Sequence, residues 1–112
     1  MPTAERIGKN ESLFREVNER IRELNSAFDS TDAGELADFV CECSLEGCRD
    51  YVQLELPEYE SVRTVETRFI VSPGHVWTPD VEHTVEQHER YWVVEKTGVA
   101  GAVAAERNPR KA

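Results

Sequence analysis

Residues 39–48 read Phe39-Val40-Cys41-Glu42-Cys43-Ser44-Leu45-Glu46-Gly47-Cys48, and they hold all three cysteines of the 112-residue chain. Thiols in the spacing C-x-C-x4-C converge on one point if the chain turns back, and the glycine at position 47 favours such a turn. Zinc prefers four soft or borderline ligands in a tetrahedron, so this stretch predicts a zinc site. A domain this small benefits from such a cross-link, because the core that it can bury is limited.

Two other interpretations of the cysteine cluster stay open at this point. Free cysteine packs as a small hydrophobic residue, so the three thiols could be inert members of a core. They could also include a redox pair, although the chain lacks the C-x-x-C spacing typical of disulfide exchange. Clustered thiols in a reducing compartment bind metals more often than they form disulfides, and we therefore favour Zn²⁺.

A tetrahedral site needs a fourth ligand, and the chain has three histidines. His75 follows Ser72-Pro73-Gly74 at the end of a predicted strand, and a fixed turn is a suitable place for a rigid ligand. His83 lies in a predicted helical segment and His88 in a polar connection, so neither has comparable support. A carboxylate or a water in the fourth position would leave the site open. The predicted ligands are Cys41, Cys43, Cys48 and His75.

The remaining patterns predict an α+β domain that opens with a long amphipathic helix. Asn10 is a suitable N-cap, and apolar residues then recur every three or four positions. This stripe predicts the buried face of the helix, which comprises Leu13, Val17, Ile21, Leu24 and Phe28.

Shorter elements follow the cysteine turn and form a small sheet with short helices. Alternation predicts a strand over 51–56, and apolar runs predict strands over 68–71 and 91–96. Pro57 favours the start of a helix that buries Tyr59 and Val62. Thr78-Pro79-Asp80 has the same kind of helix-start signature, so a second short helix is expected there. The predicted organisation is a disordered lead over 1–9, one domain over 10–97 and a flexible tail over 98–112.

Charge and hydropathy restrict the partners and the location of the chain. With 22 acidic and 13 basic residues the net charge is −9, and such a surface repels nucleic acids and anionic membranes. No run approaches the roughly 20 apolar residues of a membrane span, and Met1–Asn10 lacks the apolar stretch of a signal peptide. We therefore expect a cytoplasmic protein.

Five motifs between residues 10 and 96 form a recognisable set. They are Asn10-Glu11 through Asn18-Glu19-Arg20-Ile21, Phe39-Val40-Cys41-Glu42-Cys43 with Cys48, Tyr59-Glu60-x-Val62-Arg63, Phe69-Ile70-Val71-x-Pro73-Gly74-His75, and Tyr91-x-Val93-Val94-Glu95-Lys96. In these motifs the chain resembles a family of small bacterial proteins of uncharacterised function. The resemblance implies that the cysteines and the Pro-Gly-His turn belong to one pattern, which supports His75 as a ligand. It implies no substrate and no partner.

Three classes of function are compatible with a zinc site in this chain. The first, which we favour, is a protein-interaction or regulatory module with a structural metal, with Trp77 and Trp92 either as anchors on a protein partner or as core residues. The alternative is a zinc-dependent enzyme with an open metal site and Glu42 or another acid as general base, but H-E-x-x-H, P-loop and G-x-S-x-G motifs are absent. The third is a zinc-knuckle nucleic-acid binder, which the acidic residues around the cysteines disfavour.

Overall fold

The computed structural model describes residues 4–27, 36–43, 48–76 and 82–108. They form the α+β arrangement that the sequence predicts, with small sheets and three helices in the described ranges. In chain order the elements are α1 (Ala4–Ala27), β1 (Ala37–Val40), β2 (Tyr51–Leu54), α2 (Leu56–Arg63), β3 (Arg68–Val71), β4 (Glu82–Gln87), β5 (Trp92–Lys96) and α3 (Gly98–Glu106).

The strands form two antiparallel sheets that meet at the cysteines. Strands β1 and β2 pair with Phe39 opposite Val52, and the second sheet has the order β3-β5-β4. Directly after β1, the backbone N–H of Glu42 donates to the carbonyl of Ile70 in β3 at 2.8 Å. The segment 41–43 therefore joins the edge of one sheet to the edge of the other.

The apolar core has two parts, one on each side of this junction. In the first, Phe39 stacks on Tyr59 of α2 with ring centroids 4.4 Å apart. Tyr59 and Val62 are buried and Pro57 lies in the first turn of α2, as predicted. The second part contains two of the cysteines and consists of Cys41, Cys43, Phe69, Val71, Val94 and Ala104.

Helix α1 is present, but the stripe predicted to be its buried face is mainly exposed. Leu13, Val17 and Leu24 expose 57%, 46% and 58% of their surface, and only Ile21 packs, half-buried, against the core. Phe28 lies outside the described residues. The described inner face instead carries polar side chains, namely Ser12, Arg15, Asn18 and Glu19.

Specific hydrogen bonds explain why this polar face is buried. Asn18 Nδ2 donates to the carbonyl of Val40 at 2.8 Å, and its Oδ1 accepts from the N–H of Val40 at 2.7 Å. The amide thus pairs with β1 as a neighbouring strand would. Arg15 donates to the carbonyls of Glu66 and Ala104, both at 2.6 Å. Buried polar groups are tolerated when they are paired in this way, so the helix turns its apolar stripe outwards.

The segment after Thr78-Pro79-Asp80 was predicted to be a short helix, and the structure corrects this to strand β4. Its residues pair with β5, with Glu82 opposite Lys96 and a register shift between Thr84 and Glu86. Pairing with the apolar strand β5 outweighs the local helix-start signature, because strand preference depends strongly on context.

Helix α3 occupies residues that the sequence assigned to a flexible tail. Its small residues Ala100 and Ala104 are buried, and a side chain at Gly101 would meet the carbonyl of Lys96 at 2.8 Å. These small residues, from which a flexible tail is predicted, are therefore the ones that let α3 approach β5 closely. Helix α1 likewise begins at Ala4, inside the predicted disordered lead.

Candidate metal centre

The structure brings together the four predicted ligands. The sulfur atoms of Cys41, Cys43 and Cys48 and a ring nitrogen of His75 all lie within 4.8 Å of one another. Cys41 and Cys43 are buried, whereas Cys48 and His75 are half-buried. Cys41 follows the end of β1, and its N–H donates to the carbonyl of Asp50 at 2.9 Å, which brings the chain on both sides of the cysteine turn together.

The fourth predicted ligand, His75, is held by a tight turn at the end of β3. The N–H of His75 donates to the carbonyl of Ser72 at 3.0 Å, and Gly74 between them has φ +85°. Proline at the second position and a left-handed glycine at the third are typical of a type II turn. This turn aims the His75 ring at the cysteines, as the Pro73-Gly74 pair predicts.

The distances from His75 to the thiols match those of a tetrahedral zinc site. Nδ1 of His75 lies 3.6 Å from Sγ of Cys41 and 3.7 Å from Sγ of Cys48. Zinc bonds of about 2.3 Å to sulfur and about 2.0 Å to nitrogen, arranged tetrahedrally, place those two ligand atoms about 3.6 Å apart. The four groups can therefore hold a metal ion of the size and geometry of zinc.

Two further contacts orient the ligands. Nε2 of His75 lies 3.3 Å from Oδ2 of Asp50, and a proton on that nitrogen leaves Nδ1 as the lone-pair donor to a metal. The N–H of Ser72 points at Sγ of Cys41 from 3.1 Å, as expected for a donor that stabilises a thiolate. A carboxylate behind a ligating histidine is a recurrent feature of zinc sites.

Glu42, between two of the cysteines, connects the candidate site to three other elements. Its carboxylate is fully buried and accepts hydrogen bonds from Asn18 of α1 at 2.7 Å, Arg63 of α2 at 2.7 Å and the N–H of Ile70 at 2.8 Å. All three contacts hold Glu42 in place, and with it the backbone between Cys41 and Cys43. Glu42 is thus a structural anchor, and these bonds occupy the carboxylate that the enzyme hypothesis would use as a general base.

Burial and the neighbouring thiols disfavour ionisation of Cys41 and Cys48. A hydrogen bond with Cys43, together with burial, raises the pKa of Cys41, and burial raises the pKa of Cys48. Thiolates this close repel each other unless a cation lies between them. A divalent metal supplies that cation and would be bound by the deprotonated sulfurs.

The other residues singled out in the sequence lie elsewhere. His83 is on β4, beside Glu95, and the His88 ring stacks on Tyr91, so neither belongs to the cluster. Trp92 is half-buried against the core that contains the cysteines. Gly47 and Trp77 lie outside the described residues.

Sequence reasoning missed Asp50, Asn18 and the anchoring role of Glu42. Asp50 lies two residues after the last cysteine, and that proximity was the one available signal. The partners of Glu42 are 21 to 28 residues distant in the chain, so no local pattern reveals them.

Among the described residues, none of the helices is both long and apolar enough to cross a membrane. Comparisons with protein-family models, curated proteins and solved structures give no match to this chain.

Proposed function

We propose that this chain is a zinc-stabilised protein-interaction domain in which the metal is structural. The observation that carries the proposal is the convergence of three cysteine sulfurs and one histidine nitrogen at zinc-like distances. Four protein ligands complete a tetrahedron, so no coordination position remains for a reactive water. The alternative, a zinc-dependent enzyme, needs such a position and has less support.

Substitution of each histidine tests the metal site. His75→Ala should weaken zinc retention and lower the melting temperature, because metal binding is coupled to folding in small domains. His83→Ala and His88→Ala are matched controls, since both rings are largely exposed and outside the cluster, and they should retain the metal. Release of zinc by either control, with retention by His75→Ala, would show that the fourth ligand is misassigned.

The outer face of α1, defined here by Leu13, Val17 and Leu24, supports the interaction role. A helix normally buries its apolar stripe, yet each of these side chains is about half exposed. The other exposed residues on the described part of this helix are Glu16, Glu23 and Arg20. With two acidic side chains to one basic side chain here, and a net charge of −9, this face fits a partner helix with an apolar stripe and flanking lysine or arginine residues.

A synthetic helical peptide with a leucine stripe and flanking lysines is a direct probe of this surface. We expect saturable binding with NMR shift changes confined to α1, and loss of binding in the double variant Leu13→Ser and Leu24→Ser. Val99→Ser removes an equally exposed apolar side chain from α3 and is the control. Equal weakening by the control, or equal binding of a peptide with glutamates in place of the lysines, would contradict the assignment.

A further inference from the structure

The three thiols of the cluster differ in their access to solvent. Cys41 is 2% exposed and Cys43 is fully buried, whereas Cys48 is half-buried. Oxidants in solution react with the thiolates that they can reach, so a reagent from solvent meets Cys48 before the other two. Metal ligation would hold Cys48 as a thiolate, which is the form that attacks a peroxide.

Cys43 is the thiol best placed to react with an oxidised Cys48. The sulfur atoms lie within 4.8 Å of one another, and the Cys48 thiol has hydrogen-bond contact with both other cysteines. In the β1-β2 pair Val40 lies opposite Tyr51, and the N–H of the next residue, Cys41, donates to the carbonyl of Asp50. Continuation of this register places Cys43 opposite Cys48, and residues opposite each other in an antiparallel pair have adjacent side chains.

We propose that Cys48 is a redox-modification site for hydroperoxides, with Cys43 as its resolving thiol. The thiolate of Cys48 attacks one oxygen of hydrogen peroxide, the O–O bond breaks, and a sulfenic acid and a hydroxide ion form. The thiolate of Cys43 then attacks the sulfenic sulfur, the S–O bond breaks, and a second hydroxide ion leaves as the disulfide forms. The two thiolates together lose two electrons, and the peroxide gains them.

Oxidation of this pair would dismantle the proposed zinc site, on which the inference rests. Cys41 and His75 remain as ligands, and a structural zinc site needs four. The segment that carries the thiols is bonded directly to α1, because Asn18 pairs with Val40 on one side of Cys41 and with Glu42 on the other. Oxidation therefore releases the metal and loosens the contact between β1 and the helix that presents the exposed apolar face.

Treatment of the zinc-loaded full chain with hydrogen peroxide tests this inference. We expect release of the metal at about one peroxide per chain, with faster hydrogen exchange around Asn18, and recovery with dithiothreitol and added zinc. Proteolysis after glutamate places the three cysteines on separate fragments, because Glu42 and Glu46 lie between them. Mass spectrometry should then find the fragment of Cys43 joined to that of Cys48.

Two variants separate the attacking thiol from the resolving thiol. Cys48→His keeps four zinc ligands but removes the attacking thiol, so it should release zinc roughly ten-fold more slowly than the parent, or slower still. Cys43→His keeps the attacking thiol without its resolving partner, so a sulfenic acid should accumulate at Cys48 and be labelled by dimedone.

Three results would overturn the inference. They are equal rates of zinc release in the parent and in Cys48→His, a disulfide that joins Cys41 to either other cysteine, and a zinc-loaded parent that keeps its metal and its thiols under peroxide. If the histidine variants bind no zinc, fragment mapping of the parent decides alone. The third result leaves the proposed function intact, whereas a parent protein that binds no zinc would refute the proposed function itself.

Discussion

His75 presents its two ring nitrogens to different partners. Nδ1 faces the sulfurs of Cys41 and Cys48, and Nε2 faces the carboxylate of Asp50. The place of His75 beside the cysteines was predictable, because a Pro-Gly turn after a strand is visible in the sequence. The role of Asp50 was not, because only the folded chain shows that the cysteine turn and the histidine turn meet.

Asp50→Asn should lower zinc affinity about 10- to 100-fold, because the ring loses the carboxylate that fixes its tautomer and orientation. The side chain of Asp50 is 56% exposed, so the stability of the metal-free protein should hardly change. Chelator competition measures the affinity and urea unfolding measures the stability. Asp38→Asn, an exposed aspartate that contacts Gln53, is the control. Equal zinc affinity in Asp50→Asn and Asp38→Asn would mean that Asp50 does not orient the ligand.

Helix α1 is held by hydrogen bonds rather than by its apolar stripe. The sequence shows the helical period, and it shows that Leu13, Val17 and Leu24 lie on one face. It does not show which face is buried, because the groups that bond to this face are distant in the sequence. Arg15 donates to a carbonyl 89 residues away, and Asn18 bonds to the backbone 22 residues away. Strand β4 is a similar case, in which pairing with β5 overrides local helix signals.

Asn18→Ala should reduce the free energy of unfolding by about 1–3 kcal/mol, since it leaves the N–H and carbonyl of the half-buried Val40 and the buried carboxylate of Glu42 without this partner. Leu24→Ala should cost less than about 0.5 kcal/mol, because this side chain is 58% exposed. Urea unfolding of the two variants under identical conditions makes the comparison. A larger loss for Leu24→Ala would show that the apolar stripe packs against the domain.

Across the whole molecule, the segment 41–43 is the place where both sheets, α1 and α2 meet. The backbone of Glu42 bonds to β3, and its side chain bonds to α1 and α2. A metal there would tie the cysteine turn to the Ser72–His75 turn. The α+β class was predictable from apolar periodicity, whereas this convergence depends on contacts between residues remote in sequence.

Removal of the metal by a chelator should therefore loosen residues 39–56 more than the sheet β3-β5-β4. Hydrogen exchange should show faster exchange in β1 and β2, and addition of zinc should restore their protection. Strand β5 is an internal control, because it lies at the centre of its sheet and its backbone pairs with β3 and β4 rather than with the segment that carries the cysteines. Uniform loss of protection in both sheets would contradict a local role for the metal.

Elemental analysis of the protein, purified without added metal, tests the central claim most directly. The claim predicts about one zinc per chain, with the three thiols protected from alkylation until a chelator is added. A protein that contains no zinc and has three freely reactive thiols would contradict the metal site, and with it the account of how this domain is stabilised.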